Sequence, residues 1–233
     1  MKKFRIEALI LALGIVVLGL CINHGLSLVG KQDRVVSVRG LAEREVMADR
    51  VIWPVVYNTV GDNLTQLYDN LNRANARIKS YLRQNGISDK EMSTGAPQVV
   101  DLWADRYNTN RPINRYNLTS TITVTTSKVD KVRQLISNSG ELLKEGLAIS
   151  TGDYNSRVQY EFTSLNKIKP QMIEEATRNA REAGEKFAKD SESKLGKIKN
   201  ASQGLFTITD RDSYTPYIKN VRVVTMVDYY LDN

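Results

Sequence analysis

An uncharged stretch from Ala8 to Gly30 constrains this chain more than any other feature. It follows a basic start (Lys2, Lys3 and Arg5) and is almost purely aliphatic from Ala8 to Ile22. A helix needs roughly 20 apolar residues to cross a bilayer core about 30 Å thick. Residues 8–30 therefore predict a single transmembrane anchor. The basic residues ahead of it hold the start in the cytoplasm and direct residues 31–233 to the other side. Two other leaders stay open. One is a cleaved secretory signal, for which Gly25-Leu26-Ser27 is the nearest approach to a small-x-small cleavage site. The other is a lipoprotein leader with Cys21 as the lipidated residue, although Leu20 precedes it where a small residue is expected. All three readings export residues 31–233.

The same stretch holds the only cysteine, Cys21, and the only histidine, His24. The exported part therefore has no disulfide and no thiolate metal ligand. It also has no imidazole base for a serine or cysteine nucleophile and none of the usual zinc donors. No phosphate-binding loop or dinucleotide fingerprint occurs. Asp210-Arg211-Asp212 begins like a calcium loop, but the sixth position is Thr215 and the twelfth Val221, which excludes it. No cofactor is expected. The net charge is +7, of which the leader carries +3 and −1, leaving +5 on the exported part. Its basic residues are interspersed with acidic ones, as in Arg181-Glu182, so no nucleic-acid face is expected.

Beyond residue 30 the pattern alternates strands and helices. Strands are expected at Val35–Arg39, ending at Gly40, and at Val51–Val60. The second is apolar on both faces and carries Pro54, which suits an edge or a bulge. Trp53, Pro54, Val55 and Tyr57 are therefore an expected self-association edge. Leu64, Leu67, Leu71, Ala74, Ile78 and Leu82 form one helical stripe, with Asp62 as expected N-cap and Asn85-Gly86 as the stop. Strands follow at Met92–Trp103 and Arg115–Thr126. A short helix spans Val129–Asn138, then strands Gly146–Thr151 and Arg157–Ser164. A long helix runs from Pro170 to Leu195, with Pro170 in its first turn. It packs through Ile173, Ala176, Ala180, Ala183 and Phe187. Strands at Ile198–Thr209 and Asn220–Leu231 close the chain. The expected fold is α+β: a mixed, largely antiparallel sheet on two long helices. Two pseudo-repeated halves, 35–127 and 128–232, form one domain over 31–233 behind the anchor at 1–30.

Two hairpin loops mix aromatic, arginine and amide side chains, a composition suited to glycan or protein recognition. One carries Trp103, Arg106, Tyr107 and Arg111, the other Tyr214 and Tyr217. Asp101 and Asp105 are candidates for a carboxylate pair of the glycoside-cleaving kind.

Val36-Ser-Val-Arg-Gly40, then Ala42 and Ala48-Asp49, resembles the opening of SIMPL-domain proteins. Asn72-x-x-Asn75-Ala76, Leu82-x-x-x-Gly86-Ile87 and Ser93-Thr94 resemble that family's first helix and its exit. Tyr116 leading into Ile122-x-Val124 is similar to its central strand. Glu175-Ala176, Ala180-Arg-x-Ala183, Ala188 and Leu195-Gly-x-Ile198 resemble its last helix and turn. The resemblance runs from about residue 35 to 231. It implies a bacterial envelope protein, inner-membrane anchored or periplasmic, with oxidative-stress-associated relatives and ring-like homo-oligomers, and it transfers no catalytic residue. The expected function is a non-enzymatic, membrane-tethered, self-associating envelope protein. A glycan or small-ligand module, or a carboxylate-dependent hydrolase, are the alternatives.

Overall fold

The computed structural model describes residues 11–23, 34–104, 111–144, 146–150 and 156–232. Residues 11–23 form helix α1, exposed throughout. Among the described residues, no helix is long and apolar enough to cross a membrane. The remainder of the expected anchor, 8–10 and 24–30, lies outside the described residues.

The fold is α+β, with two sheets in place of the expected single mixed one, and every pairing whose register is defined is antiparallel. After β1 (Val35–Met47) and β2 (Arg50–Gly61) come α2 (Leu64–Gln84), β3 (Met92–Thr94), β4 (Gln98–Asp101) and β5 (Tyr116–Thr126). Then follow α3 (Val129–Ser137), α4 (Gly140–Lys144), β6 (Ile149–Ser150), β7 (Gln159–Glu161), α5 (Leu165–Asp190), β8 (Lys194–Gln203), β9 (Thr207–Asp210) and β10 (Ile218–Asp232). A four-stranded sheet has the order β1-β10-β8, with β9 also paired to β10. A six-stranded sheet has the order β3-β5-β2-β6, with β4 on β5 and β7 on β2.

The chain divides into two compact units: Met1–Ala42 with Ile173–Leu205 and Val223–Asn233, and Glu43–Met172 with Phe206–Arg222. In the second unit α2 lays its stripe against the six-stranded sheet. Leu67, Leu71, Ala74, Ile78 and Leu82 are buried, while Leu64 stays exposed. They meet the inward row of β2 and β5, including Val51, Trp53, Val55, Leu118, Ile122 and Val124. Each fully buried aliphatic side chain contributes roughly 1.5–3 kcal/mol. Asn63, not Asp62, caps α2, its side chain accepting from Gln66 N at 3.1 Å.

In the first unit α5 packs through a narrow row. Ala176, Ala180, Gly184 and Ala188, each four residues after the last, are all buried. Val38, Ala180, Val227 and Tyr229 form its core. Phe187 stands 61% exposed, outside this row. The helix also begins earlier than expected, so Pro170 sits within it and removes one backbone bond instead of occupying the first turn.

Strand β2 is not an edge. It pairs along its whole length with β5 and, on its other side, with β7 at residues 50–52 and β6 at 56–57. Pro54 falls in the gap between those two short pairings, where a missing N–H costs no ladder bond. Trp53 and Val55 are core residues at 3% and 2% exposure. The expected self-association edge at Trp53, Pro54, Val55 and Tyr57 is thus a central strand.

Candidate functional site

Two loop-bearing ends of the second unit carry the residues singled out for recognition. At the first, Asp101 ends β4 opposite Tyr116 of β5. Its carboxylate takes three guanidinium bonds from Arg115, at 3.3, 3.1 and 2.9 Å, and one from the Trp103 amide at 3.0 Å. The Arg115 bonds hold Asp101 below the usual carboxylate range. Asp62 accepts the Arg115 backbone N–H at 2.9 Å, which ties the loop to the end of β2. Trp103 donates its indole N–H to the Pro112 carbonyl at 3.1 Å. The Arg111 and Arg115 guanidinium carbons lie 5.9 and 5.8 Å from its ring centre. At that range a cation contributes about 0.5–1 kcal/mol at an exposed site. Trp103 remains 38% exposed. Arg106, Tyr107 and Asp105 lie outside the described residues.

At the other end, Asp212 organises the turn after β9. It accepts from the amides of Tyr214 and Thr215 at 2.8 and 2.7 Å, from the Thr215 hydroxyl, and from Arg211 Nε at 3.1 Å. The Thr215 hydroxyl and then Arg211 push its carboxyl far below the ordinary range. Arg211 also reaches Glu45 at 3.4 Å. Tyr217 turns inward: Arg133 stacks 3.4 Å from its ring centre, and Tyr160 meets it edge-on at 6.1 Å. Burial raises the Tyr160 hydroxyl above its usual value. Lys219 is buried and paired with Asp210. Tyr214 is 93% exposed.

The two ends do not converge. Tyr217 O accepts from Ala48 N just before β2, whereas Asp62 binds the Arg115 loop just after it. At about 3.3 Å per residue, β2 separates them by roughly 35 Å. Trp103 and Arg111 come together; Tyr217 is half-buried and packed against the core, and Tyr214 is an exposed tip.

The carboxylates with perturbed acidity are held by hydrogen bonds. Asp49 accepts from Thr163 N at 2.7 Å, Thr163 Oγ1 at 2.9 Å and Ser164 N at 2.9 Å, immediately before α5. Burial raises its pKa, but these bonds outweigh it and leave the carboxyl below its ordinary value. Glu91 accepts from Thr126 Oγ1 at 2.5 Å, Ser88 N at 2.8 Å and Lys128 Nζ at 3.0 Å, and is held at about 2, first by Thr126. Glu91 stands outside every motif drawn from the sequence, and Asp49 enters only as part of the Ala48-Asp49 motif. Ser164 directly before Leu165 is a helix-start signal, but its partner is 115 residues away. Among the described residues, every perturbed carboxylate is shifted down, the wrong direction for a general acid at neutral pH. Among the described residues, no group of three or more His, Cys, Asp or Glu is placed to hold a metal ion.

The outer strand of the first unit is unusual. Residues 197–203 of β8 are exposed on both faces, although the strand pairs with β10. Lys197 and Lys199 share it with Ile198, and Leu205 beyond its end is 91% exposed.

Residues 36–226 match the family model described as SIMPL, protein of unknown function (DUF541). No curated protein matches the chain. The match spans most of the sequence, from the Val36–Gly40 strand to the middle of β10, and the chain belongs to the SIMPL family.

Proposed function

We propose that this protein is a non-enzymatic, membrane-tethered component of the bacterial envelope that assembles with copies of itself through the β8 rim. The carrying observation is that rim: residues 197–203 form a sheet edge with neither face covered. Such an edge is a template for pairing with another chain. Ile198 and Leu205 supply apolar surface to bury. Lys197 and Lys199 oppose open-ended strand addition, which favours a closed oligomer over a fibre. The tether is supported by the basic start and by α1, whose Leu11, Leu13, Ile15 and Leu18 are all exposed. The non-enzymatic reading is supported by Asp49, Glu91, Asp101 and Asp212, each committed to hydrogen bonds that keep it ionised. Multi-angle light scattering of the full chain in detergent tests the proposal. An oligomer of defined mass is expected, and replacing Ile198 and Leu205 with Lys reduces it toward monomer.

A further inference from the structure

The outward face of the six-stranded sheet carries a groove of about 310 Å³ that no part of the self-association reading uses. Its floor is set by strand register. Asn58 of β2, Thr119 of β5 and Gln98 of β4 form one row across the strands. Val60, Asn117 and Val100 form the adjacent row, and Val56 and Thr121 the next row on the other side. Ser156 completes the lining, and among the described residues no charged side chain lines it. Thr119 donates to Asn58 Oδ1 at 2.7 Å, fixing that pair. Asn117 Oδ1 is buried without a hydrogen-bond partner.

An unpartnered buried amide oxygen costs about 1–3 kcal/mol, and among the described residues no donor reaches Asn117 Oδ1. Turning about its last torsion presents either its oxygen or its NH₂ to the groove. Amides and hydroxyls each donate and accept, so the floor matches a ligand rich in hydroxyl groups. Half-exposed Val60 and Val100 flank Asn117 with apolar surface suited to the C–H faces of a sugar ring. A charged ligand would be desolvated against no counter-charge. An apolar peptide would leave the amides unpaired. The volume lies at the lower end of the roughly 300–1,000 Å³ range of small-molecule sites, room for a mono- or disaccharide. We infer that this groove is a binding site for a neutral saccharide.

Saturation-transfer NMR on the full-length protein tests this, with N,N′-diacetylchitobiose and maltose as neutral probes and glucuronate as the charged one. At least one neutral disaccharide receives saturation, and glucuronate does not. Asn117→Leu weakens that binding at least tenfold while leaving Tm unchanged or raised, because it removes an unpaired acceptor. Asn58→Ala and Gln98→Ala, at exposed positions, weaken it without touching the core and keep the test decisive should Asn117→Leu fold poorly. The inference is overturned if neither neutral probe binds, if glucuronate binds equally well, or if binding survives the Asn58 and Gln98 substitutions. The oligomer mass is a separate readout, so failure here leaves the self-association reading standing.

Discussion

Gly40 lies against the backbone of Ala176 so closely that a Cβ on residue 40 would sit 1.8 Å from the Ala176 carbonyl oxygen and 2.4 Å from Ala180 N. The glycine of the Val36-Ser-Val-Arg-Gly40 motif therefore marks a close approach of helix to strand. Gly40→Ala forces β1 off α5 and costs about 3 kcal/mol or more, read as a large drop in Tm. Gly140→Ala, with nothing within 4 Å of the added methyl, is the control and leaves Tm unchanged or slightly raised.

Asp49 caps the approach to α5 from the turn between β1 and β2. Asp49→Ala removes three hydrogen bonds and lowers stability by about 1–2 kcal/mol, the scale of a lost helix cap. Its folded pKa is depressed, so this stabilisation is present above the unfolded carboxylate value near 4 and is lost as pH falls through the folded value. Denaturant unfolding from pH 7 to pH 3 checks it: the gap between the wild type and Asp49→Asn narrows in acid.

Glu91 gives a second acid window. Its carboxyl is held at about 2 against an ordinary 4.5, so its contribution is complete above about 4.5 and disappears between there and about 2. Glu91→Gln is destabilised at pH 7 and converges on the wild type below that window, as thermal unfolding across pH shows.

Tyr217 and Tyr214 respond oppositely despite their similar place in the sequence. Tyr217→Ala removes a half-buried ring packed on Tyr160 and Arg133 and costs about 1–2 kcal/mol. Tyr214→Ala changes stability by less than about 0.5 kcal/mol, because the side chain touches little. Thermal unfolding of the two variants separates them.

What was legible in the sequence was whatever periodicity encodes. The α2 stripe from Leu67 to Leu82 and the β5 alternation at Leu118, Ile122 and Val124 are read correctly, because burial imposes a repeat of 3.6 or 2 on the side chains. What failed was anything set by a distant partner. Pro54 reads as an edge residue, yet it occupies a gap between β6 and β7 that only their pairing creates. Phe187 reads as core by its apolar character, but the α5 row runs through Ala176, Ala180, Gly184 and Ala188, where small size permits close approach to β1. Asp62 and Asn63 are both plausible caps; Arg115 takes the first, leaving the second to α2. In the candidate loops, Trp103 and Arg111 are brought together. The Asp101–Arg115 fork that holds them, and the inward turn of Tyr217, depend on strand register that no local pattern contains.

Light scattering of the full chain in detergent, wild type beside the Ile198→Lys/Leu205→Lys variant, bears most directly on assembly through the β8 rim. A closed oligomer of defined mass that the variant reduces to monomer is the predicted result. A wild-type monomer at high protein concentration, or an oligomer the variant leaves intact, contradicts it.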